Sequence, residues 1–302
     1  MAKWILKAVV QKGISLLPLS HRLNFLFQKY ITRGVFLTDA YTEDKLIHFL
    51  EHRDFVKPEN SRLLELGTGW YPLIPLFYYL EGAESVVSID LNPLATDAGI
   101  RTAAQQLITW KNAGRLNALS VNDPHRWKQI EALATSPDPH QQLKSMNISL
   151  LLADARHTSF PSESFTGIVS NNTLEHVFPE AMESIFREFN RLLPAGGRMS
   201  HFIDMSDHFA HLDSGISIYN FLRFSSMQWK WIDNDVQPQN RLRIPQYRDV
   251  FEKTGFKILK ELLRPGDVEI VRNLKIHPEW SRFSIEELAV SHAYCFMEKT
   301  NV

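Results

Sequence analysis

The chain has 302 residues, 44% of them hydrophobic, enough to bury a full core in one large domain or in a core with an accessory part. Its 33 basic and 34 acidic residues nearly cancel, which argues against nucleic acid as an obligatory partner. The single cysteine, Cys295, excludes an intramolecular disulfide and a cysteine-rich zinc site and fits a cytoplasmic setting, and no apolar run reaches the length of a membrane-spanning helix.

The N-terminal stretch is basic and amphipathic. No acidic residue occurs from Met1 to Thr38, while Lys3, Lys7, Lys12, Arg22, Lys29 and Arg33 accompany Trp4, Ile5, Leu6, Val9, Val10, Ile14, Leu16 and Leu17. Lys7 and Lys12 interrupt the apolar run, so the stretch is not read as a secretion signal. Two uses are open: peripheral docking on an anionic lipid surface, or covering a sheet edge with the apolar side buried. The modest charge density favours the second. Apolar residues three or four apart in Leu23, Phe25, Leu26 and Tyr30 continue the helical pattern, and another helix is expected over 42–52 after a break at Arg33-Gly34. Residues 1–58 are therefore expected to form a helical cap.

The period then changes. Strands are expected at 62–66, 85–90, 148–153, 165–170 and 198–203, alternating with helices at about 72–80, 94–107 and 179–193. Such alternation marks βαβ units around a parallel sheet. Residues 108–147 exceed a usual connection and read as an insertion with its own helix, and 204–245, rich in Asp, His, Phe and Trp, reads as a lid. A helix over 247–254 and strands at 256–262 and 293–298 close the domain, which spans 59–302. The fold class is α/β, a Rossmann-like sheet of seven mostly parallel strands flanked by helices, with the N-terminal cap and a lid after strand five.

Ligands of open α/β sheets bind outside the carboxyl ends of the strands, where strand order switches. Here the first strand ends in Glu65-Leu66-Gly67-Thr68-Gly69, an acid followed by a glycine turn whose bare backbone admits a close ligand. Asp90 ends the second strand, placed to accept ribose hydroxyls. Asp154-Ala155 follow the third, where a carboxylate and a backbone N–H can meet an adenine edge.

These residues resemble the class I S-adenosylmethionine-dependent methyltransferases, with a methyltransferase type 11-like core over roughly 61–203. The resemblance implies that Glu65, Gly67 and Gly69 lie against the methionine part of S-adenosyl-L-methionine, that Asp90 binds its ribose, and that Asp154 with Ala155 selects its adenine. Thr68, Leu91 and Asn171, beside these positions, are expected at the cofactor too. Ser170-Asn171-Asn172-Thr173-Leu174-Glu175-His176-Val177 is similar to the family's loop after strand four, and Arg191-Leu192-Leu193-Pro194-Ala195-Gly196-Gly197 to its lead into strand five. The chain departs from the family in having Tyr71 where a third glycine is frequent. A dinucleotide dehydrogenase is the rival reading, because Asp90 lies about 20 residues past the glycine turn; it fails because Pro72 stands where the last glycine of that fingerprint belongs.

Methyl transfer to oxygen needs a base. His176 and the lid residues His208 and His211 are the candidate catalytic groups. No metal is assigned, although His201, Asp204, Asp207, His208 and His211 form a dense enough set to be weaker candidates for one; Asp204, Asp207, His208 and His211 share a face only if that stretch is helical. Phe221, Phe224, Trp229 and Trp231 are expected in the lid core or lining an acceptor pocket, and Arg223, Arg241 and Arg243 on the acceptor or at the surface. The function expected is methylation of a small-molecule or lipid-/saccharide-linked acceptor, the His and Asp set favouring oxygen as the acceptor atom with a lid histidine or carboxylate as base. The alternatives are a metal-dependent or non-methylating enzyme that uses the Asp/His cluster, and a catalytically silent partner subunit. No base-flipping motif follows strand four, so a nucleic-acid acceptor is not expected.

Overall fold

The computed structural model describes residues 3–15, 36–119, 123–235 and 237–300. The helical pattern read at Leu23 to Tyr30 and the break at Arg33-Gly34 lie outside the described residues.

Helix α1 (Lys3–Ser15) is followed by α2 (Asp39–Phe55), which Thr38 caps by accepting the Tyr41 N–H. Then come β1 (Arg62–Leu66), α3 (Leu73–Leu80), β2 (Ser85–Asp90) and α4 (Asp97–Asn112). The insertion read over 108–147 takes shape as the end of α4, α5 (Pro124–Thr135) and α6 (Pro139–Ser145). Both short helices begin with an Asp cap followed by Pro, at Asp123-Pro124 and Asp138-Pro139, which satisfies their first N–H groups. Next are β3 (Ile148–Leu152), β4 (Gly167–Asn171), α7 (Pro179–Leu192) and β5 (Arg198–Asp204). The lid carries α8 (Ser226–Ile232), and α9 (Ile244–Lys253), β6 (Phe256–Arg264), α10 (Val268–Arg272), α11 (Ile285–Ala289) and β7 (His292–Lys299) complete the chain.

The sheet order is β3-β2-β1-β4-β5-β7-β6. Strands β1 to β5 run parallel, and β7 pairs antiparallel with both β5 and β6. The order reverses between β1 and β4, so Gly67 after β1 and Asn171 at the end of β4 flank the switch point.

Each face of the sheet has its own core. On one, α2 through α6 bury Phe49, Phe77, Tyr78, Leu107, Trp110 and Ile130 against Leu63, Val86 and Ile148. On the other, α7 and α9 bury Phe186, Phe189 and Phe251 against Leu64, Ile168 and Met199. A third cluster joins the lid to α10 and α11 through Phe209, Tyr219, Phe221, Trp229 and Leu288, and Ala8 of α1 belongs to it. The N-terminal helix therefore packs on the lid, where the sequence reading expected it to cover a sheet edge. The Trp4 backbone N–H donates to Asp213 at 3.0 Å, and Lys12 Nζ donates to the carbonyls of Lys230 and Asp233 at 3.0 and 2.8 Å. Among the described residues no helix is long and apolar enough to cross a membrane.

Candidate active site

The glycine turn after β1 is built on buried polar contacts. Glu65 and Ser88 are register partners on β1 and β2, and the Ser88 hydroxyl donates to Glu65 Oε2 at 2.5 Å while sharing a 2.7 Å hydrogen bond with Thr68 Oγ1. Thr68 thus points inward and supports the turn. Burial pushes the Glu65 carboxyl up to about 7, with the Ser88 hydrogen bond and Lys45 opposing. Gly67 and Gly69 both have positive φ, +89° and +64°. A Cβ at Gly67 would collide with the Thr173 side chain, whereas a Cβ at Gly69 would meet nothing within 4 Å. Gly69 therefore borders open space with a bare backbone, the cradle a close ligand needs.

Asp90 closes the turn from the next strand: its carboxylate accepts from Gly69 N at 3.3 Å and Asn92 N at 2.9 Å. Each oxygen keeps a free lone-pair direction for a hydroxyl. Leu91 beside it is exposed, an apolar side chain next to a polar tip. After β3, Asp154 is held by the Arg156 guanidinium at 2.5 to 3.0 Å, so an adenine amine would share this carboxylate with a cation; Ala155 is buried in the sheet core. Asn171 is buried, its Oδ1 accepting from His52 Nε2 at 2.8 Å and its Nδ2 without a partner. These strand ends fit an adenosine with a methionine tail: a glycine cradle, a carboxylate for hydroxyls, and an unpaired amide donor at the switch point.

Beyond them lies a second group of titratable side chains. The turn after β4, Leu174–His176, carries Glu175 and His176. Asp204 ends β5 directly opposite His292, its register partner at the start of β7, and the two meet at 3.3 Å. His208, four residues beyond Asp204, reaches its other oxygen at 3.3 Å. The rings of His176 and His208 lie 5.0 Å apart, and His211 stacks on His208 at 5.4 Å. The three candidate catalytic histidines are therefore together. Burial pushes the His176 imidazole down to about 4, and burial together with His208 lowers that of His211. Burial would raise Asp204, but His208 and His292 outweigh it and hold the carboxyl well below its ordinary range. Burial, reinforced by Asp204, raises Glu175 well above the usual carboxylate range.

Other lid residues serve elsewhere. Residues 207–212 form successive turns, with the Ala210 N–H on the Asp207 carbonyl and the Leu212 N–H on that of Phe209, so the helical face that would align Asp204, Asp207, His208 and His211 does not form. Asp207 turns inward, accepting from Phe209 N at 2.8 Å and Asn220 Nδ2 at 3.3 Å. His201 is buried among Phe186, Phe189 and Phe251 with Nδ1 on the Ser170 hydroxyl at 2.7 Å. Phe221 and Trp229 are lid core, and Trp231 is exposed. Arg241 and Arg243 hold backbone carbonyls, of Phe221 and Phe224 and of Met205, Leu288 and Val290.

Residues that sequence reasoning missed come from α2. Tyr41, Lys45, His48 and His52 recur at spacings of four, three and four, one stripe of the helix. His52 Nδ1 accepts from the Ser200 hydroxyl at 2.6 Å and His48 Nδ1 meets the Tyr294 hydroxyl at 2.6 Å. Lys45 is lowered by burial, against the attraction of Asp44, Glu65 and Glu175. Their one signal in the sequence is the helical spacing, which by itself reads as a solvated face.

Comparison with known proteins finds a methyltransferase domain within the chain. A family model described as a methyltransferase domain matches residues 126–200, the segment that contains β3, β4 and the Glu175-His176 turn. No curated protein matches the chain in sequence. Among solved structures, a SAM-dependent methyltransferase of Methanosarcina mazei is similar at 14% identity over 85% of this chain and 98% of its own, with a TM-score of 0.47. An S-adenosylmethionine-dependent methyltransferase of Mesorhizobium loti is similar at 16% identity over 80% and 93%, with a TM-score of 0.43. The methyltransferase-domain match falls on β3, β4 and α7 of a Rossmann-like sheet whose strand ends fit S-adenosyl-L-methionine.

Proposed function

We propose that the chain O-methylates a small-molecule or lipid-/saccharide-linked acceptor in the cytoplasm, with His211 receiving the acceptor's proton. The observation that carries this reading is the His208–His211 stack behind which Asp204 stands, at the carboxyl ends of β4 and β5 beside the switch point. When bound, the cofactor supplies an electrophilic methyl group on a sulfonium. Glu65, Gly67, Gly69, Asp90 and Asp154 would hold it, with the histidine cluster of residues 204–245 on the acceptor side. His211 is the exposed member of the stack, and its lowered pKa keeps it neutral and able to take a proton near pH 7. The acceptor oxygen would gain the methyl carbon as the carbon–sulfur bond breaks and S-adenosylhomocysteine leaves; its hydrogen would pass to His211, and Asp204 lies near enough to stabilise the charge that appears.

The test is release of S-adenosylhomocysteine on incubation with acceptor extracts, with the methylated product identified by mass. His211→Ala should lower kcat about 10²-fold and remove the limb of the pH–rate profile that reports its titration. Unchanged turnover and an unchanged profile would sink the assignment of the base.

Peripheral contact with an anionic membrane belongs to the same proposal. It is supported by Leu6 and Val9 of α1 and Trp231 of the adjacent α8, which stay 57%, 61% and 80% exposed beside Lys3.

A further inference from the structure

We propose that Glu175, His176 and His208 form a binding site for a divalent transition-metal ion, at which an oxygen of the acceptor is held. Each of the three offers a ligand atom, and those atoms all lie within 4.8 Å of one another. Two imidazoles and a carboxylate are the donor set that zinc and its first-row neighbours favour, and three protein ligands leave coordination positions open for an acceptor.

The cluster carries a demand for a cation that its neighbours do not meet. Both carboxylate oxygens of Glu175 are buried without a hydrogen-bond partner, and only the backbone N–H groups of Glu175 itself and Asp204 come near. No cation among the described residues stands within ion-pair distance of it, Lys45 having Asp44 at 3.8 Å instead. A buried carboxylate left in this way is costly unless an ion or proton compensates it.

The two imidazoles are oriented as ligands are. His176 Nδ1 lies 2.6 Å from the Pro238 carbonyl, which can only accept, so this nitrogen carries the hydrogen and Nε2 keeps its lone pair. His208 Nε2 is buried without a hydrogen-bond partner, with Asp204 at 3.3 Å. A carbonyl behind the His176 imidazole is the kind of outer contact that fixes tautomer and ring direction at metal sites. The turn that carries Glu175 and His176 is itself fastened by the lid: Asn240 Nδ2 donates to the carbonyls of Leu174 and Val177 at 2.7 and 2.9 Å, and Asn240 N donates to that of Glu175 at 2.9 Å. The donors therefore stand on a fixed frame.

An ion here would lower the pKa of a bound acceptor hydroxyl and hold its oxygen in place. That role rests on the O-methylation reading; the binding of the ion does not. The experiment titrates the chelator-stripped full chain with Co²⁺ and with Zn²⁺, following the visible ligand-field bands of cobalt and the bound stoichiometry, with cofactor affinity measured by calorimetry on the same samples. One ion per chain is expected, with affinity reduced at least about tenfold in Glu175→Gln and in His176→Ala while cofactor binding persists. Absence of cobalt bands and of stoichiometric binding in the wild-type chain would overturn the site, and so would binding that survives in both variants. An ion bound as expected by a chain that methylates nitrogen or carbon would leave the site standing and overturn the oxygen reading.

Discussion

At the scale of single residues, the two glycines after β1 separate a structural requirement from a binding one. Both have positive φ, so alanine at either costs about 1–2 kcal/mol of backbone strain. Gly67→Ala also drives a methyl into Thr173, while at Gly69 the methyl enters open space. Gly67→Ala should therefore lower Tm clearly more than Gly69→Ala, and Gly69→Ala should weaken S-adenosylmethionine binding at least about tenfold in calorimetry while the fold persists. Equal losses of stability with unchanged affinity at Gly69 would contradict this division. The strand-end residues were legible because each follows a short apolar run, so Glu65, Asp90 and Asp154 announce where the sheet stops. Lys45, His48 and His52 were not, because within a helix the same residue types read as a solvated face. Only the docking of α2 on β5 turns that face inward, where His52 meets Ser200 and Asn171.

At the scale of elements, Glu188 of α7 clamps the segment after β3 that bears Asp154. It accepts from Thr158 N at 2.8 Å and Thr158 Oγ1 at 2.5 Å, and pairs with Arg191 at 2.7 Å. Burial would raise its carboxyl, but Arg191 and Thr158 outweigh that and bring it down to about 2 from an ordinary 4.5. A carboxyl depressed in the folded state stabilises it fully above the unfolded pKa, and the contribution fades as pH falls from about 4.5 through about 2. Glu188→Gln should cost about 1–3 kcal/mol at pH 7. Between pH 4.5 and 2 the Tm of the wild-type chain should fall toward that of the variant, and a gap independent of pH would show that the clamp is not ionic. The strand and helix order was readable from alternating periods, whereas the lid's geometry was not. Its spacing of Asp204, His208 and His211 suggests a helix, but Asp207 bonds the Phe209 N–H two residues on and breaks the stretch into turns. The Asp204–His208 pair survives this, because a turn brings positions four apart together as a helix does. His292 joins them only through the β5–β7 register, a contact between distant parts of the chain that local spacing does not encode.

At the scale of the whole molecule, net charge gives no reason for attraction to a membrane, since 33 basic and 34 acidic residues almost balance. The distribution does. Residues 1–38 contain no acid, and α1 divides its surface between two partners. Trp4 packs on Phe209 and Phe224, and Lys12 is bonded to carbonyls around α8, so one side of α1 secures the lid. Leu6 and Val9 face away and remain exposed with Trp231. Apolar area of this size, with lysine beside it, gives reversible interfacial affinity that salt weakens, without insertion across the bilayer. The full chain should co-sediment with vesicles containing phosphatidylserine, less at high salt, and little with neutral vesicles. Leu6→Glu combined with Val9→Glu should abolish that binding and leave Tm and cofactor affinity unchanged, because neither side chain belongs to a core. Wild-type chain that stays in the supernatant with anionic vesicles at low salt would end the membrane proposal and leave α1 with the single task of holding the lid.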